Sequence, residues 1–316
     1  VHFWTHGGIL TKVTPEKPLV MGHEASGTIH AVGGAVTDLQ PGDRVAVEPG
    51  YPCRRCGPCK TGRYNLCPAM KFAADPPDAH GTLCRVFRMP ADFVYPIPDA
   101  LSLQEAVLVE PLAVAVHAVR LAEVRPALNV LVQGAGTIGL LVAAVAKAYG
   151  ATRVGVSDVS EVKVEFARGF LSMSGVTVMR PDNAEDAEAV AARFRGEMGL
   201  DTSRGVDVVV ECTGVETAMQ TGLYALGAGG VLVQVGMGKP LQALPLLDMF
   251  AKETVFKTAF RYAPRDYEIA LDLLAEGKIS VAPLISSTLP FEEAPEAWER
   301  TRRGEGIKNL IRGVQD

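Results

Sequence analysis

Basic charge is in short supply: 31 lysines and arginines stand against 36 aspartates and glutamates, leaving a net charge of -5. With no cationic surplus to neutralise a phosphate backbone or an anionic membrane surface, nucleic acid and lipid are excluded as expected partners. Long apolar runs are also scarce. Residues 128–146 approach the ~20 that a membrane span requires, but the run contains Gln133 and three spaced glycines, and a buried strand, turn and helix account for it better. No secretory signal is visible, although the first residue is Val1 and not methionine, and a cytoplasmic protein is expected. Internal repeats and low-complexity tracts are absent.

What the chain does have is enough apolar mass for a substantial core, 48% hydrophobic against 21% charged in 316 residues, a length suited to about two domains. The first hundred residues are rich in glycine and proline and carry short β-prone runs at 26–32, 44–48 and 83–89, as in an irregular β domain. From about Pro111 strands and helices alternate. Strands are expected at 129–133, 153–157, 176–179, 206–210 and 230–235, with an apolar helix at 138–149, a pattern that implies a doubly wound parallel sheet over 113–259. A strand at 254–260 and a helix at 266–276 follow. The tail from 260 to 316 is expected to rejoin residues 1–112, making the nucleotide unit an insertion.

Gly134-Ala135-Gly136-Thr137-Ile138-Gly139 is a G-x-G-x-x-G directly after a strand and at the mouth of a helix. The first glycine permits a tight turn, the second lets a pyrophosphate approach the backbone, and the third allows close helix–strand packing, while the helix N-terminus offers free amides. Asp158 closes the next strand, where a carboxylate can accept hydrogen bonds from the adenosine ribose and repel a phosphate there, so NAD is favoured over NADP. Capping of the following helix is the competing role for Asp158, and Lys163 tempers the preference as a nearby cation.

Four of the six cysteines, Cys53, Cys56, Cys59 and Cys67, crowd into fifteen residues. Without a secretory signal this clustering reads as a metal site before a disulfide framework, and four thiolates on short Gly/Pro turns suit a closed tetrahedral zinc. An iron–sulfur cluster competes, but of the bacterial ferredoxin pattern only the trailing Pro68 matches. Cys84 and Cys212 read as small buried hydrophobes. Upstream, His23 and Glu24 stand side by side between glycines in M-G-H-E-A-S-G, a nitrogen and an oxygen donor suited to a catalytic zinc with an open position; a solvated surface pair is the alternative.

Taken in order, V-H-F-W at 1–4, G-H-E-A-S-G at 22–27, G-R-Y-N-L-C-P at 62–68, D-x-x-G-T-L-C-R at 78–85, V-E-P-L at 109–112, E-C-T-G at 211–214 and F-R-Y at 260–262 make the chain resemble the zinc-containing medium-chain dehydrogenases, within them the polyol branch of sorbitol and xylitol dehydrogenases. The resemblance runs end to end. It implies an α/β architecture in which a GroES-like irregular β catalytic domain joins a Rossmann domain, and a homotetramer or homodimer. It further implies that His23, Glu24 and Glu110 belong to a catalytic zinc site, Glu110 directly or through a water. Arg261 and Tyr262 would face the polyol, and Phe3 stands where animal sorbitol dehydrogenases tend to have tyrosine, which shifts the expectation towards xylitol-type enzymes. Ile138, Asp158, Lys163, the turn Val235-Gly236-Met237 and Phe260 would line the cofactor, with Gly134, Gly136 and Gly139. Taken alone, Glu110 before Pro111 could equally begin a helix, Arg261 could be an ordinary ion-pair partner, and Tyr262 a core residue.

The implied reaction is reversible oxidation of a secondary alcohol of xylitol or sorbitol to the ketose, with NAD, one structural and one catalytic zinc, and proton release through His2; a surface histidine near a chain end is the other reading of His2. Family members carry a thiolate ligand in C-G-x-D just upstream of V-H-x-W, whereas this sequence begins at Val1, so an N-terminally truncated form is expected. Two other classes follow: an NAD-binding remnant with structural zinc and little turnover, or a zinc-independent reductase. Metal content separates them, at two, about one and no zinc ions per chain.

Overall fold

The computed structural model describes residues 4, 5, 7, 13, 14, 16–76, 79–182, 184–201 and 204–314. The chain divides into two units, one of Val1–Pro111 with Ala263–Asp316, the other of Leu112–Tyr262. His2 and Phe3 lie outside the described residues.

In the first unit, β1 (Ala25–Thr28) pairs antiparallel with β2 (Arg44–Val47), which pairs antiparallel with β5 (Val94–Pro96). A second ribbon, β3 (Gly50–Tyr51) with β4 (Lys71–Phe72), brackets the stretch that carries four cysteines. The short helix Leu103–Ala106 begins on a capping box between Ser102 and Glu105 and is tied to β1 by a 2.5 Å bond from Ser26 Oγ to the Leu103 carbonyl. Residues 83–89, expected as a strand, form none. The amides of Gly81, Thr82 and Leu83 donate instead to the carbonyls of Val20, Gly22 and Met21 at 2.7–2.9 Å, and an apolar alternation without a partner strand does not make a ladder. That approach requires glycine at 81, where a Cβ would lie 2.4 Å from the Met21 and Gly22 carbonyl oxygens. The segment therefore splints the backbone just before His23.

The second unit is built on a six-stranded parallel sheet. Its strands are β6 (Asn129–Gln133), β7 (Arg153–Ser157), β8 (Val176–Met179), β9 (Val206–Glu211), β10 (Leu226–Gln234) and β11 (Val255–Thr258), in the order β11-β10-β9-β6-β7-β8. Counted within the unit this is 3-2-1-4-5-6 read from β8, the dinucleotide-binding order, with its switch point between the paired strands β6 and β9, where the strand order reverses. All five β6 residues are buried, as a strand covered on both faces demands. Leu131, Met179, Phe194, Leu223, Leu226 and Leu232 form part of the core. β10 starts four residues earlier than expected: Gly227, Gly229 and Gly230 hide a strand start from propensity, and the register shifts between Leu226 and Val231.

The apolar run 128–146 resolves into β6, the glycine turn and most of the helix Thr137–Ala148; no helix among the described residues is long and apolar enough to cross a membrane. The returning part of the first unit holds the helix Asp266–Ala275 and a parallel pair, β12 (Ile285–Leu289) with β13 (Lys308–Ile311), connected through the helix Ala294–Arg302.

Candidate metal and dinucleotide sites

His23 and Glu24 sit at the turn into β1, and Glu110 is the second residue of the helix Val109–Leu121, its carboxylate at the positive end of the helix. One donor atom from each of the three lies within 4.8 Å of the others. Their burial differs in a useful way: His23 is exposed, Glu24 half-buried and Glu110 buried. The His23 ring packs 5.6 Å from that of Phe72. An imidazole and two carboxylates suit a borderline-soft divalent ion with one side left open.

A second group is closed. Cys53, Cys56, Cys59 and Cys67 bring their sulfurs within 4.8 Å of one another, with Cys67 buried and the rest half-buried. The turns that gather them are a left-handed Arg54 (φ 64°) and the one-turn helix Gly57–Lys60 with proline near its start. Backbone amides of Arg55 and Cys56 pull the Cys53 thiol down to about 6, while burial and the neighbouring thiols push Cys59 up to about 12. Four thiols in one cluster, one already prone to ionise, have the donor set of a structural zinc. Cys84 and Cys212 stand outside both groups; each is half-buried, and burial raises both thiols.

At the crevice of the second unit the glycine turn is tightly constrained by its own chain. A Cβ at Gly139 would fall 1.8 Å from the Gly134 carbonyl oxygen, which excludes any side chain. Gly136 is different, since a Cβ there meets nothing within 4 Å. The protein itself gives no reason for glycine at 136, and a pyrophosphate resting on that backbone does. Asp158 Oδ2 accepts from the Ala135 amide at 2.9 Å, Oδ1 accepts from the Ser160 amide at 2.9 Å, and Lys163 Nζ stands 3.8 Å away. The carboxylate thus ties the turn to the start of the helix Glu161–Phe170.

Ile138, Val235 and Gly236 are half-buried, while Met237 and Phe260 are 62% and 46% exposed. Arg261 adopts a left-handed backbone (φ 57°) and stacks its guanidinium 4.7 Å from the centroid of Phe260. Tyr262, the last residue of the second unit, is buried.

Two family models match: the alcohol dehydrogenase GroES-like domain over residues 1–99 and the zinc-binding dehydrogenase over 137–276. A probable D-xylulose reductase A from Neosartorya fischeri is 45% identical over 316 residues, which is all of this chain and 86% of that protein. Among solved structures, an Escherichia coli oxidoreductase/dehydrogenase of unknown specificity is 32% identical with a TM-score of 0.90, covering 99% of this chain and 88% of that one. A zinc-binding dehydrogenase from Sinorhizobium meliloti bound to NADP is 29% identical with a TM-score of 0.82, covering 94% and 84%. This chain belongs to the zinc-binding dehydrogenase family.

In this dehydrogenase the structure adds groups that reading along the chain misses. Lys308, from β13, places its ammonium on the Glu24 carboxylate. Burial alone would raise the Glu24 pKa, but the charges of Lys308 and His23 and the Lys308 hydrogen bond outweigh it and hold the carboxyl below its usual range. The partners are 284 positions apart, and no local signal joins them. Glu211 is fully buried; its carboxylate accepts from the Thr213 amide and hydroxyl and from the Gly214 amide, ordering the E-C-T-G loop beside the glycine turn. A Cβ at Gly134 would come within 2.9 Å of Thr213, so the two loops meet at the crevice.

Proposed function

We propose that the protein catalyses reversible oxidation of a secondary alcohol of a polyol of the xylitol or sorbitol type to the ketose, with NAD as hydride acceptor. The observation that carries this reading is the convergence of His23, Glu24 and Glu110 in a chain 45% identical to a D-xylulose reductase. His23, Glu24 and Glu110 would hold a catalytic zinc and Cys53, Cys56, Cys59 and Cys67 a structural one. When bound, the catalytic metal supplies Lewis acidity that lowers the pKa of an alcohol, and the nicotinamide supplies the hydride acceptor. The chain's own groups do the rest. Lys308 keeps Glu24 ionised, Arg261 and Tyr262 would bind substrate hydroxyls, Phe3 would contribute an apolar wall, and His2 would pass the proton to solvent.

Residues 113–259 would form the nucleotide-binding domain and 1–112 with 260–316 the substrate domain. Gly134, Gly136 and Gly139 would cradle the pyrophosphate, with Ile138, Val235, Gly236, Met237 and Phe260 along the cofactor. Asp158 favours NAD, because its carboxylate accepts ribose hydroxyls and repels a phosphate on that sugar, even though one structural relative carries NADP. We further propose a cytoplasmic homodimer or homotetramer. The exposed Leu246, Leu247 and Phe250, in the helix leading to the edge strand β11, support self-association.

Steady-state assays with xylitol, sorbitol and D-xylulose against both cofactors, alongside zinc content, test the reading. NAD should be preferred at least ~tenfold in kcat/KM. Turnover of simple alcohols alone, or with NADP alone, would refute it.

A further inference from the structure

The last rung of the parallel sheet carries a carboxylate. Met179, Ser157, Gln133, Glu211, Gln234 and Thr258 stand in register across the six strands, each the final residue of its own, and Glu211 among them is fully buried. A carboxylate there is costly unless its oxygens are satisfied. Both are satisfied within one loop: Oε1 accepts from the Thr213 amide at 2.6 Å and from the Thr213 hydroxyl, and Oε2 accepts from the Gly214 amide at 2.9 Å. The Val215 amide donates in turn to Thr213 Oγ1 at 3.0 Å, so that hydroxyl is committed on both sides. From the opposite direction Gln242 Nε2 donates to the Gly214 carbonyl at 3.0 Å. Gly214 is thus held at its amide and at its carbonyl, in a left-handed conformation (φ 73°).

Glu211 also governs the neighbouring turn. Its carbonyl accepts from the Val235 amide at 2.8 Å and from the Gly236 amide at 2.9 Å. The two loops meet so closely that a Cβ at Gly236 would lie 2.1 Å from the Gly214 nitrogen. The side chain of Glu211 therefore fixes the loop after β9, and its backbone fixes the turn after β10. Strand order indicates what these loops serve. Asp158 follows β7 and the glycine turn follows β6, while β9 and β10 lie on the other side of β6 from β7. A dinucleotide with its adenosine ribose at Asp158 and its pyrophosphate on the glycine turn continues across the switch point, so its nicotinamide half runs over Thr213–Gly214 and Val235–Met237. All of these residues belong to the second unit.

We propose that Glu211 and Gln242 are positioning residues for the nicotinamide half of the cofactor: they hold the two loops beneath it in their binding shape before the cofactor arrives. This rests on the reading of Gly134, Gly136, Gly139 and Asp158 as dinucleotide-binding groups. A loop shaped in advance spares its ordering cost on association, so releasing it weakens the half of the dinucleotide that lies on it and spares the other half. The chemistry also accounts for a carboxylate rather than an amide at 211. The loop turns only donors towards it, two amides and a hydroxyl, and an anion accepts from all of them. An amide would set its own NH2 against one of these donors.

The test compares NADH with ADP-ribose, which lacks the nicotinamide, on the full chain and its Glu211→Gln, Glu211→Ala and Gln242→Ala variants. Fluorescence titration reads NADH affinity, calorimetry reads ADP-ribose, and amide hydrogen exchange without cofactor reads the loops themselves. Glu211→Gln should weaken NADH ~tenfold and leave ADP-ribose within about twofold, Glu211→Ala should weaken NADH further, and Gln242→Ala should weaken it about threefold. In Glu211→Gln the Thr213 and Gly214 amides should exchange at least ~tenfold faster, while those of the helix Thr137–Ala148 keep their wild-type rates. Equal weakening of both ligands overturns the proposal, since it marks damage to the whole unit, and so does undiminished NADH affinity in Glu211→Ala. If the Glu211 variants do not fold, Gln242→Ala, which frees the Gly214 carbonyl and leaves the carboxylate in place, decides by the same criteria. A wild-type chain that binds neither NADH nor ADP-ribose removes the dinucleotide reading and this inference with it, an outcome distinct from a chain that binds both and is indifferent to Glu211.

Discussion

Glu24 and Glu48 occupy the same end of one ladder and have opposite fates. Ala25 of β1 pairs with Val47 of β2, and each glutamate is the next residue beyond that rung. Burial acts to raise both. Glu24 meets the Lys308 ammonium and the His23 ring, and its carboxyl ends below the ordinary value. Glu48, fully buried, meets phenols among the described residues: its oxygens accept from Tyr64 at 2.5 Å and from Tyr95 at 2.8 Å. Those bonds favour the ionised form but lose to burial, with Glu268 and Asp266 adding like charge, and the carboxyl rises to about 7. Tyr267, stacked 5.1 Å from Tyr95 and donating to the Val47 carbonyl at 2.7 Å, closes the cage. At Glu48 two neutral donors satisfy the buried carboxylate without offsetting its burial, whereas at Glu24 a cation does offset it. One strand end thereby carries a charged carboxylate of the candidate metal group, and the other holds Tyr64, three residues before Cys67, to the β5 strand.

The largest effect should come from removing that cation. Lys308→Met leaves Glu24 without its counter-charge in a setting where the two side chains are only 25% and 16% exposed. We expect a stability loss of ~2–4 kcal/mol and a fall of at least ~tenfold in kcat/KM, with Lys308→Arg recovering much of both. Calorimetry and xylitol kinetics on the three proteins check this. Wild-type behaviour in Lys308→Met would erase the distinction between the two glutamates.

A smaller effect is expected in the cage. Tyr64→Phe and Tyr95→Phe each take one donor from a buried carboxylate oxygen, costing ~1–3 kcal/mol. Glu48→Gln in the Tyr64→Phe background should recover part of that loss, because an amide tolerates a missing donor better than an anion does. If denaturant titration finds the double variant as unstable as the sum of the two single ones, the Glu48 charge is not what the tyrosines serve.

How much of this could be read along the chain follows from the range of the interactions. β6, β7 and β8 were legible to the residue, because each is a short valine-rich segment bounded by turn residues, the mark of a strand, and β6 is in addition buried throughout. The stretch 83–89 misled for the converse reason: an alternating pattern reports a tendency to pair, and among the described residues no strand pairs with it. G-H-E and the four-cysteine run are visible because donors are neighbours in sequence. Glu110 entered only through family resemblance. Lys308 and the ring contact of Trp4 with Trp298 depend on segments brought together from opposite ends of the chain, and the Glu48 cage on residues 16 and 47 positions away, and a lysine, a glutamate after a strand or a tryptophan in a helix carries no local mark of its partner.

The smallest expected effect is a change in slope with pH, and it sets the two glutamates against each other. Glu48 has a folded pKa of about 7, above the 4.5 of an unperturbed glutamate. The folded state therefore binds the proton more tightly, and this contribution to stability is complete below about 4.5 and is lost as pH rises through about 7. Glu24 runs the other way: its folded pKa is depressed, so its contribution is present above 4.5 and disappears only as pH falls through the lower folded value. Between pH 5 and 8 Glu48 alone of the pair should be felt, as a contribution to the melting temperature that falls with rising pH, opposed by the Cys53 thiol, lowered to about 6, whose contribution grows above that value. Glu48→Gln should remove the Glu48 contribution, leaving a protein more stable relative to wild type at pH 8 than at pH 5, and Lys308→Met should lower the whole curve and steepen its fall, because burial then raises the Glu24 carboxyl with the Lys308 ammonium gone. A stability difference between wild type and Glu48→Gln that does not change across this window would mean that the tyrosines keep Glu48 ionised after all and that hydrogen bonds alone can do what Lys308 does for Glu24.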